Sequence, residues 1–243
     1  MAYELLYKVY DSLMSHVPYD RFINVVKEYA DKNAVLLDLA CGTGKVLVPL
    51  VEEGYLIDGL DLSEEMLMVT RDKLQTKHLS SSLHLGRMEE LKVNSYYQLV
   101  YCFLDSINYL TNIIDIDNTF QGVFDALVQD GYFLFDVPDQ NYIKKMFSNY
   151  CFVDEMEDSL YIWQTNTQKH NQILTVYHQL TFFLPKTNYL YEKKQEFHTQ
   201  VIFPLNIYIE LLQQNGFEIV NIIDDFLLDG SKRKLIVSKK CRS

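Results

Sequence analysis

Basic residues are in short supply in this 243-residue chain: 22 lysines and arginines stand against 33 aspartates and glutamates, a formal net charge of −11 at pH 7. Nucleic-acid binders draw much of their affinity from neutralising phosphates, so this balance disfavours RNA or DNA as a partner. The one basic cluster, Lys232, Arg233, Lys234, Lys239, Lys240 and Arg242, is short and reads as a solvated strand edge. Cysteine is scarce as well. Cys41, Cys102, Cys151 and Cys241 lie far apart without a CxxC pair, which argues against a zinc site and against a disulfide framework. The six histidines show no HExxH or comparable spacing, so no metal is expected. No apolar run approaches the roughly 18 residues of a membrane span, and the start MAYELLYKVYDSLMSHV lacks the basic-then-apolar order of a signal peptide. A reducing cytoplasm is the expected compartment, with no membrane partner. Tryptophan occurs once, yet there are 18 tyrosines and 14 phenylalanines. Tyrosine offers a flat apolar face with a hydroxyl at its rim, which suits strands and also suits a pocket for a polar organic ligand.

What the chain does have is alternation. Three-to-four spacing of Leu6, Val9, Tyr10, Leu13 and Met14, and of Phe22, Val25, Val26 and Tyr29 beyond Pro18, predicts a helical start. Val35 to Ala40 is a short, largely apolar run leading into Gly42-Thr43-Gly44, the pattern of a buried parallel strand entering a tight turn. A helix at 46–51, a strand at 56–60 and a second helix capped by Ser63, with Met66 at its third position, follow. Strands are expected at 83–85, 99–103 and 131–137, and a helix at 117–127. Strand and helix alternating in this way imply a mostly parallel α/β sheet. Between about 150 and 201 helical spacing gives way to alternating strands, as in an antiparallel insertion with a turn at Pro185-Lys186-Thr187-Asn188 and a last strand from Tyr189. Pro204 then opens a helix that stops at Asn215-Gly216, and 217–223 and 235–238 close the chain as a strand pair.

Three ligand classes use a glycine turn at the end of a first parallel strand, where backbone can touch ligand and a helix N-terminus favours negative charge. A P-loop would need glycine where Leu39 stands and Ser or Thr where Val46 stands; that match fails. A dinucleotide turn would need a third glycine where Leu47 stands, which weakens a nicotinamide oxidoreductase reading. The third class is S-adenosylmethionine (SAM). Leu37-Asp38-Leu39-Ala40-Cys41-Gly42-Thr43-Gly44 resembles the first motif of the class I SAM-dependent methyltransferases, an apolar strand followed by D-x-x-C/G-G-x-G.

The resemblance implies that the turn faces the methionine end of SAM, with contacts at Ala40, Cys41, Gly42 and Gly44 and with Asp38 shaping the turn. Asp61 ends the second strand and is placed to accept both ribose hydroxyls, with Leu62 and Met66 flanking the adenine. Where the family carries an acid for the adenine amino group, this chain reads Gly86-Arg87-Met88. Arginine has no acceptor, which leaves the Met88 backbone and stacking by Arg87. The segment from Leu99 to Tyr109 fits the strand end where methyl donor meets acceptor, and Cys102 and Tyr19 complete the expected cofactor contacts. Together with Val9-Tyr10-Asp11 and Pro18-Tyr19, this segment resembles a bacterial small-molecule subgroup that includes sugar-amine N-methyltransferases and is similar in plan to glycine N-methyltransferase.

The implied fold is a doubly wound, mostly parallel seven-stranded α/β sheet with its seventh strand antiparallel. An N-terminal helical lid belongs to the core at 1–149 and 202–243, and an antiparallel β cap is inserted at 150–201. The implied activity is methyl transfer from SAM to a small polar acceptor, an amine being one candidate, leaving S-adenosylhomocysteine (SAH); monomer and homodimer stay open. An RNA methyltransferase and a SAM-binding module without turnover are the rival readings. Methyl transfer is an in-line displacement, so alignment and water exclusion carry most of the work, and a general base matters only where the nucleophile arrives protonated. Candidate bases are Asp105, Tyr10, Tyr19, His178 and His198, each with a structural alternative: a helix cap, lid packing, or outward strand positions for the histidines. Tyr161, Trp163, Tyr177, His178 and Tyr191 are the cap residues expected to influence acceptor choice.

Overall fold

The protein is described here from a computed structural model, covering residues 7–156, 159–187 and 190–241. Leu6, Asn188, Tyr189, Arg242 and the side chain of Val9, all named above, lie outside the described residues. Two helices, α1 (Tyr7–Leu13) and α2 (Tyr19–Tyr29), precede the alternating core. That core runs β1 (Val35–Leu39), α3 (Leu47–Glu52), β2 (Leu56–Asp61), α4 (Glu64–Thr76), β3 (Leu83–Leu85), β4 (Tyr97–Cys102), α5 (Ile113–Ala126) and β5 (Leu127–Val137). Local chemistry explains the helix starts. Ser63 Oγ accepts from Met66 N at 3.2 Å, the expected cap. Asn112 Oδ1 accepts from Asp115 N at 2.9 Å and starts α5 at Ile113, four residues earlier than the apolar spacing suggested.

After β5 the chain makes α6 (Gln140–Phe147), a helix with one buried residue, Ile143, and so with too little apolar repeat to stand out in sequence. The Asp139 side chain caps it by accepting from Tyr142 N at 2.8 Å. Strands β6 (Tyr150–Met156), β7 (Ser159–His170), β8 (Ile173–Pro185) and β9 (Tyr191–Ile202) then form a separate antiparallel sheet. The chain returns through α7 (Leu205–Gln214), β10 (Phe217–Ile223) and β11 (Lys234–Lys240).

The main sheet has the order β10-β11-β5-β4-β1-β2-β3. Its neighbours from β5 to β3 are parallel, while β11 runs antiparallel to both β5 and β10. The expected seven strands with an antiparallel seventh are therefore present. Alternation along each strand splits the core into two layers. Leu99 and Tyr101 of β4 join Phe22, Val26, Leu47 and Leu50 on one face, while Val100 and Cys102 join Phe120, Phe133 and Tyr208 on the other. One expectation about the surface is overturned. Arg233, read as part of a solvated basic edge, keeps 14% of its side-chain surface exposed and lies between two carboxylates, Asp105 and Asp136 of β5.

Candidate active site

The backbone turns left-handed at Ala40 (φ 65°), Gly42 (φ 54°) and Gly44 (φ 72°) as β1 ends. The two glycines serve different ends. A Cβ on Gly42 would meet nothing within 4 Å, because open cleft lies over the turn. A Cβ on Gly44 would strike the Thr70 side chain at 2.8 Å, so that glycine permits close packing on α4 and is not among the residues lining the cleft. Asp61 braces the turn: one oxygen accepts from Gly42 N at 2.7 Å, the other from Ser63 N at 2.9 Å. Burial pushes the Asp61 carboxyl up, while the N–H groups of Ser63, Gly42 and Leu62 hold it down.

The cleft runs from Gly42 and Asp61 past Leu62 and Met66 to the segment Gly86–Glu89. Leu62 leaves 54% of its surface exposed beside it as an apolar wall, whereas Met66 is 1% exposed and forms floor. Arg87 bonds Glu89 Oε1 through Nε at 2.6 Å. Glu89 itself lines the cleft, so an acid is present two residues beyond the position expected from the family, a detail sequence reading missed. A small second lobe adjoins the turn at Asp38, Ala40, Cys41, Thr43 and Lys45. Burial, with Asp61 nearby, pushes Asp38 well up against the pull of the Tyr101 hydroxyl. The Tyr19 ring sits under the Lys45 ammonium at 5.7 Å, with its hydroxyl buried and without a hydrogen-bond partner. Cys102 does not fit its expected place: it is fully buried in the core against α5 and lines neither lobe.

A third space opens between α1, α6, the cap strands and the loop before β11. Tyr10 and Ser106 line all three spaces, which places the meeting point at the lid helix and the end of β4. Ser106 and Tyr109 stand in the segment singled out in sequence, yet only the fold shows that they join the spaces. Both cap histidines face inward, against the outward alternative. Trp163 Nε1, a donor only, bonds His178 Nδ1 at 3.1 Å, which puts the ring proton on Nε2, where it donates to Gln200 Oε1 at 3.2 Å. His178 is thus fully engaged and presents no lone pair, contrary to its expected role as base. His198 lies edge-on to Tyr109 at 6.1 Å and 3.5 Å from Glu196. Tyr177 and Tyr191 point outward at 47% and 61% exposure, and Tyr161 packs in the cap's own core, so of the five expected cap residues Trp163 and His178 reach the cavity.

Asp105 is the other corrected base. It is neither a side-chain helix cap nor a ready proton acceptor, because Arg233 grips both of its oxygens, with Nη2–Oδ2 at 3.0 Å, and binds Asp136 as well. Asp136 also accepts from Leu104 N at 2.7 Å, which holds the left-handed pair Leu104 (φ 59°) and Asp105 (φ 62°) at the cavity floor. The phenols of Tyr10 and Tyr19 are pushed well above their usual range, chiefly by burial, which disfavours their phenolate forms.

Burial, reinforced by His198 opposite, lowers His178 to about 4. A histidine ordinarily titrates near 6.5, so the folded state binds fewer protons between about 4 and 6.5. Stability from this group is intact above pH 6.5 and drains away by about 3 kcal/mol as pH falls to 4. Thermal melts of wild type and His178→Asn between pH 7.5 and 4.5 should show the wild type losing stability more steeply. Parallel curves would mean that His178 is not buried in its neutral form.

Among the described residues no three or more His, Cys, Asp or Glu gather to hold a metal, and no helix is long and apolar enough to cross a membrane. A family model described as a methyltransferase domain matches residues 36–131, from β1 into β5. The putative methyltransferase YqeM of Bacillus subtilis is 35% identical over 226 residues, covering 93% of this chain and 90% of that protein. Among solved structures, an S-adenosylmethionine-dependent methyltransferase from Clostridium acetobutylicum superposes with a TM-score of 0.80 at 23% identity, covering both chains in full. The sugar N-methyltransferase KedS8 of Streptoalloteichus gives 0.78 at 20%, covering all of this chain and 94% of its own. The fold, the glycine turn and the relative matched over nearly its whole length agree: the chain belongs to the class I SAM-dependent methyltransferases.

Proposed function

We propose that this enzyme methylates a small polar molecule, an amine, held in the cavity beneath the cap at 150–201. One observation carries the reading: a pocket lined by cap, lid and α6 meets the cofactor cleft at Tyr10 and Ser106. In that arrangement Asp61 bonds the ribose, Leu62 covers the adenine over the Met66 floor, and the backbone from Ala40 to Gly42 takes the amino-acid end. Glu89 replaces the missing acid toward the adenine amino group, with Arg87 orienting it. Lys45, which lines the lobe at the glycine turn, is the cation on hand for the cofactor carboxylate, while Tyr19 packs beneath it without lining the cleft. SAM, when bound, supplies a methyl group on a positively charged sulfur. The protein contributes alignment and exclusion of water at the Tyr10–Ser106 junction.

The charge of the cavity supports an amine over an anion. Asp105 and Asp229 line it, and its guanidinium, Arg233, is already held by Asp105 and Asp136. Phe147, Tyr150 and Trp163 also line it, an aromatic wall suited to the apolar part of a small amine taken up in its neutral form. The likeness to a sugar N-methyltransferase points the same way.

Calorimetry is expected to show binding of SAM and SAH but not of NAD or ATP, and labelled SAM should mark a small amine in a metabolite extract. Trp163→Ala should cut turnover on that acceptor roughly ten-fold or more, as loss of a buried aromatic anchor does, and leave SAH affinity unchanged. Turnover at the wild-type level, or SAH affinity lost in step with it, would move the acceptor site elsewhere.

A further inference from the structure

The lid helix α1 is seven residues long, about 10 Å, and helices this short do not persist in water without outside contacts. Apolar packing of Tyr10 and Leu13 on the cap supplies part of that support. Asp11 supplies another part. Thr43 Oγ1 donates to Asp11 Oδ1 at 2.6 Å, Lys73 Nζ lies 2.5 Å from Oδ2, and Lys45 Nζ lies 3.6 Å away. Lys73 Nζ also donates to the Thr43 carbonyl at 2.7 Å, so the lid carboxylate and the α4 ammonium bracket one residue, and that residue sits between the two glycines of the turn.

We propose that Asp11 is a positioning residue: it clasps the lid to the glycine turn and thereby couples residence of the cofactor to the placement of Tyr10. The reasoning is geometric. Tyr10 precedes Asp11 and walls both lobes of the cleft as well as the acceptor cavity. A small tilt of α1 opens all three spaces together, and the clasp opposes that tilt at the turn the cofactor touches. Asp11, Lys45 and Lys73 each keep about a third of their side-chain surface exposed, so water and salt reach the clasp and can release it. The inference rests on the cofactor occupying the cleft beside Gly42.

SAH is the probe, with release followed by stopped-flow displacement and lid order by hydrogen–deuterium exchange over residues 7–13. Asp11→Asn should speed SAH release roughly ten-fold, the scale of one charge-assisted hydrogen bond, and Lys73→Met should do the same. Their double variant should release no faster than either single one, because all remove one shared interaction. Raising salt should speed release from the wild type and leave the Asp11→Asn rate flat. Bound SAH should slow exchange in α1 of the wild type but not of the variants, while melting temperatures stay together, which separates lid placement from general stability. A wild-type release rate in folded Asp11→Asn, or additive effects in the double variant, would overturn the clasp alone. Failure of the wild type to bind SAH would sink the cofactor placement and the clasp with it.

Discussion

Arg233→Met should lower the melting temperature by about 10 °C. Removing one partner from a buried ion pair costs about 3–5 kcal/mol, because the other charge stays buried without compensation. For a chain of this length each kcal/mol is worth roughly 2–4 °C. The stranded group is Asp136, which has no exposed surface and is already raised to about 6 by burial in spite of Arg233. The remedy discriminates. Arg233→Met with Asp136→Asn removes the guanidinium and the fully buried carboxylate, leaving Asp105, whose side chain is 19% exposed, to water, and the amide oxygen can still accept from Leu104 N, so much of the lost stability should return. A single variant that melts within a degree or two of wild type, or a double variant no better than the single one, would show that the triad does not hold the floor of the cavity.

Asp61→Ala should weaken SAH binding about ten- to a hundred-fold, the 1.5–3 kcal/mol that hydrogen bonds to a charged acceptor contribute. The structure assigns the carboxylate a second task, since its two oxygens also brace the Gly42 and Ser63 N–H groups. Alanine leaves both donors without that acceptor, and a stability loss of about 1–3 kcal/mol should accompany the lost affinity. Asp61→Asn keeps one acceptor oxygen and should fall between alanine and wild type in both measurements. Calorimetric titration with SAH and a thermal melt on the same samples decide the matter. A folded alanine variant with wild-type affinity would remove Asp61 from the ribose, and an undiminished melting temperature would remove it from the turn.

Sequence determined what depends on neighbouring residues. The parallel strand before Gly42-Thr43-Gly44, the Ser63 cap, the Asp61 strand end and the change from helical to strand spacing near residue 150 are periodicities and local hydrogen bonds, so a short window contains the whole cause. With the resemblance of Leu37–Gly44 to a known methyltransferase motif, these were enough for the fold class and the cofactor. The failures share another cause. Arg233 looked like surface because its neighbours are basic, whereas its partners Asp105 and Asp136 lie 128 and 97 residues away. Cys102 looked available to the cofactor because it ends β4, but the alternation of that strand turns it into the core. His178 looked able to accept a proton until Trp163 and Gln200 took both ring nitrogens. Asp11 was read as part of a motif, while Thr43 and Lys73 became its partners only when α1 settled over the turn. Charge pairing and the direction of a strand's pleat act through space between elements distant in the chain, so only the packed fold could decide which acids are free, which bases are paired and which side chains reach the cavity.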